Sequence, residues 1–420
     1  MNMKYIIILC IIFSVLSSRA QRRIKKYVKE NAVSIKTIEP DSTNYSDLEA
    51  IGNAIGDAKV VMLGEQNHGD ASTFLAKTRL VKYLHEKKGF NVLAFESDFF
   101  ALNYGWDCLE KEEKKIDTFL MKNIFQIWTY CDACQNLFYD YIPKTYKTPT
   151  PLIISGFDNQ MSLSYSSKNL VAKLDSSMRS LKLPIVDSPK YSTEIVPLLS
   201  SLIDWYSQEE KDTNLFKQYA YYLNMIKDQL DTRINKDNFW YWVVENLIQL
   251  NQTIKAKGES NNRDYQMSQN LGWISKNKFP SEKIIVWAAS LHISKYSENY
   301  AEKYKRNDTS MGTYYTSDTA ALKNTYILGF TSHHGEEGML GQERNTIRSP
   351  QLNSLENWIH KKDKYSFIDF NKYNQLYMNK QEAFNMSGFG HYNTDMYWTK
   401  IFDGVFFIRE MRPCKNAILR

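Results

Sequence analysis

The chain has 420 residues, which exceeds a single domain of about 150 residues and leaves room for a large core with an insertion. Hydrophobic residues make up 43% of the chain, aromatic residues 14% and charged residues 24%, a composition that excludes general disorder and fibrous repeats. The formal net charge of +6 comes without a clustered basic patch, so we expect no nucleic-acid partner.

The first residues differ from the rest of the chain. An apolar run follows Lys4 and ends at Leu16, and Ser18 and Ala20 supply the small residues that a signal peptidase recognises. The run is shorter than the roughly 20 residues of a membrane-spanning helix, so a retained anchor is the weaker alternative. We predict a signal peptide over residues 1–20, a secreted or periplasmic mature chain, and no membrane contact after cleavage.

Cysteine usage does not indicate a disulfide framework. Of the five cysteines, one lies in the predicted signal peptide. Cys131 and Cys134 have the Cys-x-x-Cys spacing of redox and metal sites, but the pattern over 128–139 is typical of one amphipathic helix. We favour the helix, with a redox or metal role as the alternative.

Short apolar runs predict the strands of an α/β core. The run over 58–64 is typical of a strand buried on both faces. A helix from Asp70 to a stop at Gly89, followed by a second apolar run, completes a strand–helix–strand unit with parallel strands. The second run and the remaining predicted strands are 90–95, 151–156, 283–289, 325–330 and 404–408.

Between the third and fourth predicted strands the chain is rich in Leu, Tyr, Gln and Lys and almost lacks Gly and Pro, which favours consecutive helices. We therefore predict an α/β fold with a mostly parallel sheet flanked by helices and an all-helical insertion or subdomain. The predicted boundaries are 21–57 for an N-terminal segment, 58–193 for the first part of the core, 194–277 for the helical insertion and 278–420 for the second part of the core.

Acidic and histidine side chains follow four of the predicted strands. Ligands of an open parallel sheet bind at the carboxyl ends of its strands, so we expect these side chains to share one edge. Taken singly, Asp98 and Asp158 are better explained as N-caps of the helices that follow. The side chains are Glu65 and His68 after the first strand, Glu96 and Asp98 after the second, Asp158 after the third and His292 after the fourth.

The first of these pairs predicts general base catalysis. Glu65 and His68 are three residues apart, so the carboxylate can hold one imidazole nitrogen and leave the other free to accept a proton. No Gly-x-Ser-x-Gly motif accompanies them, and water is therefore the predicted nucleophile. Glu96 is predicted to hold substrate or to share a proton with His68, and His292 to stabilise an oxyanion or protonate a leaving alkoxide.

A metal site is the main alternative use of the same side chains. Two carboxylates and two imidazoles can bind zinc or iron, but Glu-x-x-His is not the His-Glu-x-x-His motif and no thiolate joins it. We predict no metal and no cofactor. His333 and His334 either line the same edge or lie in a solvated loop, and His85, His360 and His391 are interpreted as surface or core residues.

Several segments, in order along the chain, resemble the erythromycin esterase family. The most specific likeness is the run over 60–70, which holds the Glu-x-x-His element, followed by a helix and by Lys-Gly-Phe-Asn-Val-Leu-Ala-Phe-Glu over 88–96. The likeness extends from about Lys59 to Ile408. The further segments are 154–160, 262–270, 286–292, 310–313, 328–331 and 402–408.

The resemblance implies a metal-independent hydrolase that opens the macrocyclic lactone of a macrolide antibiotic with histidine-activated water. Its partner would be a small-molecule ester or lactone. Carried over by position, the resemblance implies a catalytic group of His68, Glu65, Glu96, His292 and Lys77, with Asp158, Arg263 and His333 in contact with substrate.

Two positions depart from the family pattern. Lys77 stands where the best-known members carry Arg, and lysine cannot make the planar bidentate contact of arginine; a lysine that extends to solvent is the alternative. Ala289 stands where these enzymes often have a further histidine. The departures keep open a non-catalytic haem-, iron- or small-ligand-binding relative on the same scaffold. An esterase whose natural substrate is not an antibiotic is a separate alternative, because loop chemistry sets the substrate.

Overall fold

The computed structural model describes residues 22–204, 213–256, 262–300, 309–378 and 381–417. The predicted signal peptide lies outside the described residues. Within those five ranges, no helix has the length and apolar character of a membrane span.

One large sheet forms the centre of the described structure. The strands are β1 (Val33–Ile35), β2 (Val60–Leu63), β3 (Phe90–Asp98), β4 (Ile153–Asp158), β5 (Lys283–Trp287), β6 (Thr325–Glu337), β7 (Asn345–Thr346), β8 (Tyr365–Asp369), β9 (Phe384–Met386), β10 (Thr394–Met396) and β11 (Gly404–Met411). Nine of them share one sheet in the order β1-β8-β11-β6-β2-β5-β3-β4, with β7 paired to β6, while β9 and β10 form a separate pair. The strands from β11 to β4 in this order are parallel, and β1, β7 and β8 pair antiparallel to their neighbours.

Helices pack on both faces of this sheet. The helices are α1 (22–31), α2 (Glu49–Ile55), α3 (Ala71–Lys88), α4 (Trp106–Cys108), α5 (Glu113–Asn123), α6 (Gln126–Thr129), α7 (Ile142–Thr145), α8 (Ser164–Ser180), α9 (Val196–Ile203), α10 (Thr213–Asp231), α11 (Phe239–Lys255), α12 (Asn262–Trp273), α13 (Ser290–Ile293), α14 (Met311–Thr316), α15 (Thr319–Lys323), α16 (Leu355–Trp358), α17 (Phe370–Leu376) and α18 (Trp398–Ile401). The predicted α/β class, with a mostly parallel sheet flanked by helices, is confirmed.

Strand β2 shows why the apolar runs form the middle of the sheet. Val60 and Met62 pack in the core on one face, and Val61 and Leu63 pack in the core on the other. Side chains alternate between the faces of a strand, so a strand covered by helices on both sides must be apolar throughout. The predicted burial on both faces is confirmed.

Helix α3 connects β2 to β3 and has the predicted limits. It begins after Asp70 and ends at Gly89, which adopts a left-handed conformation with φ of 71°. Because α3 begins after the loop at the carboxyl end of β2, Phe74 on its first turn contacts the Trp287 ring of β5 at a centroid distance of 5.9 Å. The helix therefore carries side chains toward the edge where the predicted site lies.

The predicted strands are all present, and β3, β4, β6 and β11 extend further at their carboxyl ends. Strand β3 continues beyond the predicted run to Asp98, so Glu96 is part of the strand, and β6 continues to Glu337. The region predicted as a helical insertion contains α9 to α12. The short strands β1 and β7 to β10 were not predicted, because two to five residues at a sheet edge leave little periodic pattern.

The single helix predicted over 128–139 is wrong. Helix α6 ends at Thr129, a 3₁₀ turn covers Asp132–Cys134, and a π-helical turn covers Leu137–Tyr141. The helix is interrupted because the backbone of Cys131 is extended and bridges to Asn416 near the C-terminus. A disulfide between Cys131 and Cys414, with their Cα atoms 5.3 Å apart, joins the same two segments, so this cysteine is not used in a Cys-x-x-Cys pair.

Candidate active site

The carboxyl ends of four neighbouring parallel strands bring the predicted side chains together. Strand β5 lies between β2 and β3, with β4 beyond β3. This order places His292, at the start of the chain after β5, between His68 of the loop after β2 and Glu96 of β3. Sheet topology, which joins strands far apart in sequence, therefore builds the site.

Glu65 is the buried anchor of the first half of the site. Its Oε1 lies 3.2 Å from Nδ1 of His68 and accepts a hydrogen bond of 3.1 Å from Nε1 of Trp128. A carboxylate can only accept, so the Nδ1 of His68 carries the proton and Nε2 of the neutral ring is free to accept another. The predicted orientation of His68 by Glu65 matches these contacts.

Lys77 completes the contacts of this carboxylate. Its side chain is fully buried, its Nζ forms an ion pair with Oε2 of Glu65, and it lies 4.2 Å from the centre of the Trp287 ring. Burial lowers the pKa of the Lys77 ammonium, although the Glu65 charge opposes this effect. The alternative in which Lys77 extends to solvent is therefore wrong. Lysine occupies the position as a single point charge on the carboxylate.

The surroundings of His68 adjust its basicity. Burial alone lowers the pKa of the ring, but the hydrogen bond to Glu65 and the negative charge of Glu96 raise it, and the net direction is upward. The side chain remains 29% exposed, so the free Nε2 can be reached from solvent. His68 is thus a base of raised pKa at an accessible position.

Glu96 anchors the second half of the site. Its Oε1 accepts from Nη2 of Arg263 at 2.8 Å, and its Oε2 accepts from the backbone N–H of Ala289 at 2.9 Å. Burial works against ionisation, but the charges of His292, Arg263 and His68 lower the pKa of Glu96 to about 2. Glu96 is therefore a permanently charged anchor at neutral pH, which opposes the predicted role of sharing a proton with His68.

Arg263 joins two carboxylates. Its Nε and Nη2 donate to both oxygens of Asp158, at 3.1 and 2.6 Å, and Nη2 also reaches Glu96. This bidentate contact fixes the plane of the guanidinium group. Asp158 is fully buried behind Arg263 and does not line the cavity, so it holds Arg263 in place, whereas it was predicted to contact substrate.

The surroundings of His292 favour its protonated form. Its Nδ1 lies 2.8 Å from Oδ1 of Asp264, and its Nε2 lies 3.3 Å from Glu96 and 3.2 Å from Nη1 of Arg263. Burial and Arg263 lower the pKa of the ring, but Asp264 and Glu96 raise it to about 9. The role of Asp264 could not be predicted from the sequence, because its position next to Arg263 in the run 262–270 gives no indication of a contact with a distant histidine.

These side chains form the floor of a cavity of about 520 Å³, a volume typical of small-molecule sites. The wall above the floor comes from α5, α6 and the loop before α8, and sequence analysis did not predict it because these segments meet the site only in the folded chain. The floor consists of His68, Glu96, Arg263 and His292, and the wall of Met121, Lys122, Ile124, Phe125, Gln126, Ile127, Trp128, Gln160 and Leu163.

Two predicted residues lie elsewhere. His333 does not line the cavity, and its Nε2 lies 3.2 Å from Oδ1 of Asn357 in an exposed contact. His333 belongs to the extension of β6 toward Glu337, where its side chain contacts Asn357, so His333 is not part of the active-site arrangement. Asp98 accepts hydrogen bonds from the N–H of Ala101 at 2.8 Å and from Ser166 at 2.7 Å, which agrees with its interpretation as a capping residue.

A second polar group lies beside the site. Within the described ranges, the only His, Cys, Asp and Glu side chains that bring three ligand atoms within 4.8 Å of one another are Asp70, Glu337 and His391. Protein contacts already satisfy them: Nε2 of His391 lies 2.9 Å from Asp70, and Asn67 donates to Glu337 at 2.6 Å. His391 is thus a paired core residue, and the side chains of the active-site floor do not reach the same spacing.

Comparisons with known proteins give the family of the chain. The sequence profile described as erythromycin esterase matches residues 85–411. "Putative hydrolase YbfO" of Bacillus subtilis (strain 168) is 24% identical over 445 residues, which cover 97% of this chain and 96% of that protein. The erythromycin esterase type II of Escherichia coli is 36% identical over 77 residues, 18% of each protein.

Solved structures share the fold. A Bacillus cereus protein covers 94% of this chain and 99% of its own with a TM-score of 0.72 at 19% identity. A mutant of the erythromycin esterase EreC in its open conformation covers 92% of this chain and 99% of its own, with a TM-score of 0.65 at 15% identity. Together with the profile match over most of its length, these findings indicate a hydrolase, and the chain belongs to the erythromycin esterase family.

Proposed function

We propose that the protein is an esterase that opens the lactone ring of a macrolide, with water activated by His68. The observation that carries the proposal is the hydrogen-bonded orientation of this imidazole. Glu65 holds its Nδ1, and its Nε2 is left at the floor of a cavity that solvent can enter. A base in this arrangement can take a proton from water without a protein nucleophile.

The proposed reaction adds one water to the ester. His68 takes a proton through Nε2, and the hydroxide oxygen forms a bond to the ester carbonyl carbon. Arg263 and protonated His292 stand on the same floor and stabilise the negative charge that develops on the carbonyl oxygen. The bond from carbon to the ring oxygen then breaks, that oxygen takes up a proton, and His68 releases the proton it took from water, so the products are a carboxylic acid and an alcohol on one opened chain.

The apolar side chains of the cavity wall favour a large apolar substrate. Ile124, Phe125, Ile127, Trp128 and Leu163 present apolar surface above the charged floor. A lactone carries no net charge at its reacting group, so its apolar ring can pack on the wall while the ester faces the floor. Two relatives are named erythromycin esterases, and these names support a macrolide lactone as the substrate.

A second candidate is an esterase whose substrate is not an antibiotic. The relative that matches along the whole chain is named only as a hydrolase, and the likeness to the type II enzyme covers 18% of the chain. The position after β5 is also occupied by Ala289, which contacts Glu96 through its backbone alone. These observations favour a shared reaction with a different ester.

We also propose that the protein acts outside the cytoplasm. The disulfide between Cys131 and Cys414 supports this location, because disulfides persist in oxidising compartments. The predicted signal peptide over residues 1–20 would direct the chain there.

The test is mass spectrometry of erythromycin and of tylosin after incubation with the protein, with and without a chelator. We expect a gain of one water that the chelator does not affect. His68→Ala should fold normally and lose activity by a factor on the order of 10² to 10⁴. The control is His334→Ala, an exposed histidine outside the cavity, which should retain activity. Near-native turnover by His68→Ala would refute the assignment, and turnover of simple esters but of neither drug would favour the second candidate.

A further inference from the structure

Asp264 contacts His292 of the active site without lining the cavity itself. It lies in α12 next to Arg263. Its Oδ1 accepts from the backbone N–H of Met311 at 2.8 Å and lies 2.8 Å from Nδ1 of His292. The carboxylate therefore joins α12 and α14 to the histidine that follows β5, and it leaves Nε2 of that histidine on the cavity side.

The site thus contains two pairs of a carboxylate and an imidazole with the same geometry. In each pair a carboxylate holds Nδ1, and Nε2 belongs to a ring that lines the cavity. The first pair is Glu65 with His68, and the second is Asp264 with His292.

The two pairs differ in how the carboxylate charge is compensated. Glu65 has an ion pair with buried Lys77 and a hydrogen bond from Trp128, so part of its charge is already neutralised. Asp264 forms no ion pair with a lysine or arginine in the described part of the chain, and its charge acts on His292. Glu96 adds a second negative charge 3.3 Å from Nε2 of the same ring, and Arg263, which is paired with Glu96, opposes this effect without reversing it. A ring between two carboxylates retains its proton more strongly than one whose carboxylate is shared with a lysine.

We propose that Asp264 is a positioning residue that holds His292 protonated and oriented, so that His292 is the proton donor to the leaving alkoxide while His68 is the base. This inference rests on the proposed function and deepens it. In this arrangement one imidazole is the base and the other is the acid. Their protonation states differ because the groups around the two carboxylates differ.

The proton balance of the step is complete. When the bond from the carbonyl carbon to the ring oxygen breaks, its electron pair passes to that oxygen, which takes the Nε2 proton of His292. His292 is then neutral, and His68 carries the proton taken from water. His68 releases this proton to solvent and His292 takes one up, which restores both rings with one water consumed.

The charged groups that face His292 set the pH range of this role. They are Asp264 and Arg263 of α12, Glu96 of β3 and His68 of the loop after β2. His292 should act as an acid up to a pH of about 9, where it loses its proton. His68 must be neutral to act as a base, so activity should rise with pH through a value above its ordinary 6.5. The expected profile of kcat/KM against pH is a bell with its maximum between these two limits.

Asp264→Asn tests the proposal, because asparagine keeps an oxygen acceptor for Met311 and His292 but removes the charge. The His292 imidazole signal is followed by NMR against pH and assigned with His292→Gln. We expect its pKa to fall in Asp264→Asn and the alkaline limb of kcat/KM to move to lower pH, with a loss of at least about tenfold at pH 8.5. Asp264→Glu should restore the limb in part. The control Asp140→Asn removes an exposed aspartate of a surface ion pair and should leave both readouts unchanged.

The NMR readout needs no turnover, so it separates this inference from the proposed function. An unchanged His292 pKa in Asp264→Asn would overturn the inference. A lowered pKa with an unmoved alkaline limb in an active enzyme would also overturn it, because His292 would then not be the acid. If the wild-type protein hydrolyses no ester at all, the donor role fails together with the proposed function, even when the pKa shifts.

Discussion

The Glu65 carboxylate shows how much of the chemistry depends on single contacts. Three donors meet on one buried group: the Nδ1 of His68, the indole of Trp128 and the ammonium of Lys77. The sequence predicted the contact to His68, because a spacing of three residues in a tight loop is a local property. It did not predict the contact to Trp128, which joins residues 63 positions apart.

The buried ion pair gives the first stability prediction. Lys77→Met should leave the Glu65 carboxylate without its cation in a position that water does not reach, and the loss should be about 3–5 kcal/mol of unfolding free energy. Urea denaturation of the two proteins measures it. The control is Lys114→Met, an exposed lysine on α5, for which we expect little change. A Lys77→Met protein as stable as the wild type would show that this ion pair does not stabilise the fold.

At the level of elements, the strands of the central sheet were predictable and their order was not. Each central strand is a local apolar run such as that of β2, but β5 takes its place between β2 and β3 only through tertiary pairing. The same distinction holds for the site, because its residues could be found at the ends of the predicted strands. Asp158 was predicted to contact substrate but supports Arg263, and its burial, which decides this role, cannot be predicted from the sequence. The cavity wall of α5 and α6 has no sequence signal at all.

A substitution in α6 should lower the catalytic rate without a large loss of stability. Trp128→Phe keeps an aromatic ring on the wall but removes the hydrogen bond to Glu65, which frees this carboxylate and the His68 ring that it orients. We expect kcat to fall by about tenfold with KM nearly unchanged, because the apolar wall remains. Steady-state kinetics measures both.

A matched control exists for this substitution. Trp242→Phe removes a hydrogen bond of 2.7 Å from an indole to the carbonyl of Lys236, outside the cavity. It should leave kcat unchanged. Equal losses in the two variants would mean that the effect of Trp128 is general and does not come from its contact with Glu65.

For the whole molecule, the disulfide between Cys131 and Cys414 links two cysteines that are 283 positions apart in the sequence. Cys414→Ser should lower the unfolding free energy by about 2–4 kcal/mol, a typical value for a native disulfide. Thermal unfolding under non-reducing conditions measures it. Cys108→Ser, which changes a free exposed thiol, is the control and should leave the transition in place. If reduction of the wild-type disulfide with a dithiol reagent does not lower the temperature of the unfolding transition, the disulfide has no role in stability.

The ring that this disulfide closes has a consequence for a chain that is cut by a protease. His68 and Glu96 lie on the chain before Cys131, whereas Arg263 and His292 lie between the two cysteines. A single cut by a protease between the cysteines would open the ring and leave every part of the floor joined to the rest by covalent bonds. Such a nicked protein would migrate at full mass without reductant and as two fragments with it. Both parts of the active site would therefore stay covalently joined after a cut that would separate a chain without the disulfide into two fragments.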